Sequence, residues 1–391
     1  MSRKRILIFS VAYWPFMGGA EYAIKEIADR INDIDFDMIT LCFDGNLPKI
    51  EKIGNINVYR IGFTKNKPQM ADLVKIPLML NKYLFPFTAA IKAVQLHKKN
   101  KYDACWAMMA AYAGFAVLVF KVLKPKVPYL LTLQEGDPIE YIRGKVKFVY
   151  SQFQNIFRKA SYIQPISTFL ANWAKEEGAT CPMEIVPNAV DIKKFSQEYS
   201  PEELQEIRNK LGIKGEEKLL ITTSRLVLKN GVDDLIKAGQ YLDFSFKILV
   251  LGIGPDEEKL KSLAKDLKLE DKVLFLGQVS HQDMPKYLKI SHVFCRPSLS
   301  EGLGNSFLEA MLTGLPIIGT PVGGIPDFLK DGETGLFCEV RNPKTIADKF
   351  KLLISDNNLY QKIVENGKRL VKEKYDWEII AGQMKNIFIK L

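Results

Sequence analysis

The chain has 391 residues, 47% of them hydrophobic and 26% charged, which excludes a disordered or low-complexity polymer. A chain of this length can build two sizeable cores. Its 55 Lys and Arg against 45 Asp and Glu leave a net charge of +10.

The charge is unevenly spread. Residues 45–102 hold eleven basic residues against two acids, Glu51 and Asp72. Such a stretch suits an anionic membrane surface, an anionic substrate, nucleic acid or a merely solvated face. No nucleic-acid recognition module accompanies it, so no nucleic-acid partner is expected. Cys42, Cys105, Cys181, Cys295 and Cys338 are widely spaced and form no CxxC pair. They read as buried thiols in a reducing, cytoplasmic compartment rather than a disulfide framework or zinc module. His97, His281 and His292 share no metal-ligand spacing.

In chain order, the basic N-terminus and the apolar run Ile6 to Ala12 resemble a secretion signal only superficially. Tyr13-Trp14-Pro15 stands where a small-residue cleavage site would be. A strand over Arg5–Val11 is expected, then a helix over Gly19–Ile31. Strands follow at Asp37–Phe43 and Asn57–Ile61. Ala104 to Phe120 is free of charge and at the lower limit for a membrane span. It reads as a buried helix. Strands at Val127–Leu133 and Tyr162–Pro165 close the first half.

The pattern then restarts. Strands are expected at Lys218–Thr223, Phe246–Gly252, Val273–Gly277, His292–Arg296 and Pro316–Gly319. Helices are expected at Val232–Tyr241, Pro255–Leu267, Met284–Ile290 and Ser306–Thr313. Continuous apolar strands alternating with helices indicate parallel sheets covered on both faces. Residues 193–215, polar and charged, read as the connector. The expected architecture is α/β, with two doubly wound Rossmann-like domains facing a cleft. The first spans 1–192 and takes back a last helix over about 376–391; the second spans 193–375. Ligands in such sheets bind in the loops beyond the carboxyl ends of strands.

Four loops of that kind carry polar or glycine-rich residues. Arg296-Pro-Ser-Leu-Ser-Glu301-Gly-Leu-Gly-Asn-Ser306 joins a strand to a helix. Its glycines let backbone amides approach a ligand, and the helix start adds positive partial charge, which suits a phosphate. Glu301 in the loop and Glu309 in the first turn can accept hydrogen bonds from hydroxyls. The pairing of an anion site with two hydroxyl acceptors suggests a nucleotide sugar. Arg225 and Lys229 lie on the loop after Lys218–Thr223 and can neutralise a diphosphate. Gly18-Gly19 open the first helix. Gly252-Ile-Gly254 lacks the third glycine of a dinucleotide fingerprint, so no nicotinamide or flavin is expected.

On these residues the chain resembles a retaining glycosyltransferase of family 4, with the two-domain GT-B fold. The E-x7-E element stands as Glu301 and Glu309. Around it are Arg296-Pro297-Ser298, Gly314-Leu-Pro-Ile-Ile-Gly-Thr-Pro-Val-Gly323-Gly324 and Asp331-Gly-Glu-Thr-Gly335. Val186-Pro-Asn188-Ala-Val-Asp191 with Phe195 resembles the inter-domain element, and Lys374-Tyr375-Asp-Trp377 the crossing of the last helix.

The resemblance implies that Glu309 binds the ribose, Glu301 the transferred sugar, and Arg225 with Lys229 the departing diphosphate. Amides of Gly302, Leu303, Gly304, Asn305 and Ser306, and of Gly18 and Gly19, would line the phosphate and sugar. The donor would be UDP- or GDP-linked, with no cofactor and no metal. Two departures stand out. The family lysine position holds Asn230, with Lys229 one residue early. The family histidine after Tyr129–Leu133 is absent, and Gln134, Glu135 or Asp137 would take over a sugar or acceptor contact. The expected reaction forms a glycosidic bond on a glycan or lipid-linked acceptor in surface polysaccharide or glycolipid synthesis. The first domain would hold the acceptor, and closure would expel water. The expected location is the cytoplasm, with residues 45–102 docking on the inner face of the membrane. A nucleotide-sugar epimerase and a catalytically silent donor-binding partner protein are the alternative readings.

Overall fold

The computed structural model describes residues 3–68, 72 and 75–391. The strand of the first half that begins the chain, β1 (Lys4–Phe9), has Ile6 to Phe9 fully buried. Only a strand covered on both faces makes four successive apolar residues favourable. It pairs in parallel with β2 (Ile34–Leu41) on one side, Ile6 opposite Phe36. Beyond β2 lie β3 (Ile50–Ile53) and β4 (Ile56–Ile61), and on the other side of β1 lie β5 (Ala104–Met108), β6 (Tyr129–Leu133) and β7 (Tyr162–Pro165). The strand order is β3-β4-β2-β1-β5-β6-β7, with β3 antiparallel at the edge.

Ala104–Phe120 is not one buried helix. Its first five residues are β5, the backbone then turns through positive φ at Met109 and Tyr112, and only Phe115–Leu123 is α-helical. An uncharged run cannot separate a buried strand from a buried helix by periodicity. The long helix Leu78–Asn100, which tolerates Pro86, and the edge strand β3 were not expected. Among the described residues, no helix is long and apolar enough to cross a membrane.

The second sheet contains β8 (Lys218–Thr223), β9 (Phe246–Leu251), β10 (Val273–Gly277), β11 (Val293–Arg296), β12 (Ile317–Gly319) and the short β13 (Leu336–Phe337). All its pairs are parallel, in the order β10-β9-β8-β11-β12-β13. Its core includes Leu220, Leu235, Ile248, Val293, Ile318 and Phe350, each at most 1% exposed.

The chain gathers into two compact units. One comprises the described residues of 1–135 with 139–188 and 377–391; the other comprises 136–138 and 189–376. Residues 193–215 are not a bare connector. They hold the helix Pro201–Lys210, whose cap Ser200 exchanges hydrogen bonds with Glu203 at 3.2 and 3.0 Å. The final helix, Trp377–Lys390, packs on the first unit. Phe388 stands edge-on to Phe36 and Trp106, with ring centroids 5.7 and 5.1 Å apart, and Lys385 pairs with Asp33 at 2.7 Å.

Candidate functional site

In the second unit β8 and β11 are neighbours, with β9 flanking one and β12 the other. The connections leave these two strands toward opposite sides, which is where parallel sheets open a ligand crevice. Two loops rise there: 224–231 after β8 and 297–304 after β11. They are pressed together. A Cβ on Gly231, at φ +68°, would lie 1.9 Å from the Pro297 carbonyl oxygen. Leu299 N donates to the Lys229 carbonyl at 2.7 Å. Glu301 is pinned from a third side, where Gly324 N donates to its carbonyl at 3.2 Å. A Cβ on Gly323, at φ +56°, would come within 1.8 Å of that same oxygen.

Arg296, at the end of β11, is the hub of these loops. Its Nη1 donates to Ser306 Oγ at 3.1 Å and its Nη2 to Asn230 Oδ1 at 2.9 Å, while Nη2 also pairs with Glu301 Oε2. The ion pair is largely buried, at 12% exposure for each side chain. Charge-assisted bonds of this kind fix orientation as well as energy. The other Glu301 oxygen, Oε1, accepts from Gly302 N at 3.2 Å. One amide expected to face a ligand is therefore already engaged.

Lys229 Nζ donates to the Gly136 carbonyl at 2.5 Å and pairs with Asp137 at 3.1 Å. A Cβ on Gly136 would sit 3.1 Å from Lys229 Nζ and 3.6 Å from Glu301 Oε1, so these groups surround one point of backbone. Arg225 is exposed, and no ion pair or side-chain hydrogen bond engages its guanidinium among the described residues. Asn230 is 2% exposed and donates to the Arg225 carbonyl at 2.6 Å.

The helix Asn305–Thr313 begins at Gly304, so the amides of Asn305 and Ser306 belong to its unpaired first turn. Leu303 is buried beneath it. Glu309 is the fifth residue of the helix, one position past the first turn in which it was expected, because the helix starts at Asn305. Its Oε1 meets His281 Nε2 at 3.1 Å. The structure gathers Lys229, Glu301 and the helix start around the β8 and β11 loops. Glu309 has a partner of its own.

In the first unit Gly18 and Gly19 are exposed at the start of the helix Gly19–Arg30. The Gly18 amide donates to Glu21 Oε2 at 2.8 Å, and burial raises the Glu21 carboxyl above its ordinary value. Gln134, Glu135 and Asp137 do not converge on one contact. Gln134 forms a reciprocal amide pair with Asn188 at 3.0 and 3.1 Å. Glu135 is 3% exposed and accepts from Ala110 N at 2.7 Å. Asp137 belongs to the second unit, on Lys229.

Two site residues escape sequence reasoning. Arg296 carries a legible signal, a cation closing a strand five residues before a carboxylate. His281 carries none, because its contact with Glu309 spans 28 residues. Among the described residues, no three His, Cys, Asp or Glu side chains gather into a metal-sized group.

Residues 203–370 match the family model described as glycosyl transferases group 1. An uncharacterized glycosyltransferase of Methanocaldococcus jannaschii is 26% identical over 388 residues, which cover 95% of this chain and 94% of that one. A GDP-mannose-dependent alpha-(1-6)-phosphatidylinositol monomannoside mannosyltransferase of Mycobacterium tuberculosis is 27% identical over 59% of this chain and 63% of its own length. Among solved structures, HepE of Anabaena in complex with UDP and glucose superposes with a TM-score of 0.79 at 21% identity, covering 99% of this chain and all of that one. The last likeness establishes the GT-B fold.

Proposed function

We propose that this group 1 glycosyltransferase is a retaining enzyme that moves a sugar from a nucleoside-diphosphate donor, held by the second unit, to a glycan or lipid-linked acceptor. One observation carries the reading. A helix N-terminus, two cations and two carboxylates stand on loops and a helix around the adjoining strands β8 and β11. Arg225, Lys229 and the first amides of Asn305–Thr313 supply the positive charge a departing diphosphate needs. Glu301 and Glu309 supply acceptors for the hydroxyls of the sugar and the ribose. HepE is described with UDP and the mannosyltransferase as GDP-mannose-dependent, so both bases belong to the reading.

The bond between the anomeric carbon and the diphosphate oxygen breaks, and the acceptor hydroxyl attacks from the same face. The leaving phosphate oxygen takes the acceptor's proton, so no side chain has to serve as the base. The positive charge on the protein grows in value as negative charge moves onto the leaving group, which is the condition for lowering a barrier. The reading requires no resident metal.

The acceptor side of the reading rests on the first unit, at the anionic inner face of the membrane. The helix Leu78–Asn100 exposes Tyr83, Phe87 and Ile91, four residues apart on one face, at 62%, 60% and 58%. Ile76 is exposed before it, whereas Leu78 and Phe85 turn inward. The Tyr83 and Tyr112 rings lie 6.4 Å apart, and Lys145 stands 4.2 Å over the Tyr141 ring. Burial and the charge of Lys145 together hold the Lys82 ammonium below its ordinary value, so these cations share one surface. Aromatic rings beside lysines are what an anionic interface binds.

Donor breakdown without acceptor tests the reaction. Proton NMR of the first sugar released from UDP- or GDP-sugars should show the donor's own anomeric configuration. Release with the opposite configuration would contradict retention. Donor epimerised with its diphosphate bond intact would point to an isomerase, and no turnover of any donor would support a silent binding protein.

A further inference from the structure

Glu309 does not stand alone in the second unit. His281 Nε2 lies 3.1 Å from its Oε1, and the other ring nitrogen, Nδ1, lies 3.0 Å from Lys194 Nζ. An ammonium has only donors, so Nδ1 accepts and the ring proton resides on Nε2. Nε2–H therefore donates to the Glu309 carboxylate. Phe195 fixes the ring plane edge-on, with centroids 5.3 Å apart, and is itself fully buried. Lys194 and Phe195 are adjacent on the short helix Ile192–Phe195. Asp191 anchors that helix by accepting from Lys194 N at 3.0 Å, and its carboxylate stands 4.0 Å from the Lys194 ammonium. The Glu309 side chain is 17% exposed, and its Oε2 has no partner among the described residues.

We infer that His281 is a positioning residue for nucleotide binding: oriented by Lys194 and Phe195, it holds one oxygen of Glu309 so that the other meets the hydroxyls of the donor's ribose. This rests on the reading of Glu309 as the ribose ligand. A glutamate on a helix surface samples several rotamers, and binding would have to select one of them. A fixed hydrogen bond to one oxygen removes that cost before the nucleotide arrives. Nothing in the linear sequence reveals the arrangement, since Lys194, His281 and Glu309 come from three separate elements.

The test is calorimetric titration of UDP and GDP into the wild type, His281→Phe, His281→Gln, Lys194→Met, Glu309→Gln and the double variant His281→Phe with Glu309→Gln. His281→Phe should weaken the preferred nucleotide roughly tenfold, the scale of one hydrogen bond to a charged group. His281→Gln, whose amide N–H reaches the same carboxylate, should restore most of the loss, and Lys194→Met should lose about threefold, a fraction of that hydrogen bond. The double variant should bind no worse than Glu309→Gln alone. Rescue and non-additivity separate positioning from general loss of structure. His281 is 43% exposed, and His281→Gln remains a reading if His281→Phe folds poorly. Wild-type affinity in His281→Phe, with Glu309→Gln weakened, would overturn the positioning role and leave Glu309 as the ribose ligand. Wild-type affinity in Glu309→Gln would overturn both.

Discussion

Asn230 Oδ1 accepts a hydrogen bond from Arg296 Nη2 at 2.9 Å, and the same Nη2 pairs with Glu301. The other end of the Asn230 amide donates to the Arg225 carbonyl at 2.6 Å. One buried amide thus ties the loop carrying Arg225 to the guanidinium that holds Glu301. A lysine here, as in the family pattern, would place its charge in the same buried space as Arg296. The asparagine links the loops, and Lys229 carries the charge beside them.

Asn230→Ala should therefore destabilise the fold by about 2 kcal/mol, because it leaves buried partners without a bond. Urea unfolding reads the change as a lower midpoint. Asn230→Lys should destabilise at least as much and gain no activity. A lysine variant as stable as the wild type and faster would show that the loop tolerates the family arrangement.

Arg225 is exposed and unengaged among the described residues, so truncating it removes no structural bond. Arg225→Ala should keep the wild-type melting temperature. Its rate of donor cleavage in single turnover should fall by roughly 10²–10³, the scale of one lost oxyanion donor. A rate within threefold of wild type would remove Arg225 from the chemistry.

The exposed face of Leu78–Asn100 and the lysines near it should bind anionic vesicles and not neutral ones, and binding should weaken sharply with salt. Each engaged cation contributes about 1 kcal/mol within a Debye length. Phe87→Ser with Ile91→Ser should lower vesicle recovery without changing solution stability, because both side chains are already exposed. Equal recovery in the supernatant with both vesicle types at low salt would show that this face does not dock.

His292 stands just before β11 with its Nδ1 accepting from Leu219 N at 3.0 Å, and burial, aided by Lys218 and Arg208, lowers its pKa to about 4. The unfolded imidazole titrates near 6.5. Between those values the unfolded chain binds a proton that the folded chain refuses. This contribution to stability is complete above about pH 6.5 and lost as pH falls toward 4. His292→Asn offers an oxygen in place of Nδ1 and does not titrate there. Its urea midpoint should fall less than that of the wild type between pH 7 and 4.5. Parallel falls would place the acid sensitivity elsewhere.

Much of this architecture is legible because its signals are local. Continuous apolar strands such as Leu219–Ile221 and Ile248–Leu251, each followed by a polar loop and a helix, specify parallel sheets. The glycines and acids of 301–309 mark the loop at β11. Ala104–Phe120 misleads because Ala, Met and Phe bury equally well in strand and helix. The edge strand β3 alternates exposed with half-buried residues, too weak a pattern over four positions. The partners of the site groups are not legible at all. Lys229 meets Asp137 across 92 residues of chain and His281 meets Lys194 across 87, distances that only the folded sheet closes.

Donor recognition by Glu309 and its helix is read most directly in nucleotide binding by the second unit. Titration of UDP, GDP and ADP, each alone and as its glucose or mannose conjugate, into wild type and Glu309→Gln measures it. One base should bind, stabilising the fold by about 2.7 kcal/mol at a hundred times Kd, and Glu309→Gln should lose most of that affinity for the free nucleoside diphosphate. Wild-type protein that binds none of them, or a Glu309→Gln variant that binds as tightly as wild type, would contradict the assignment of this carboxylate and its helix to the donor.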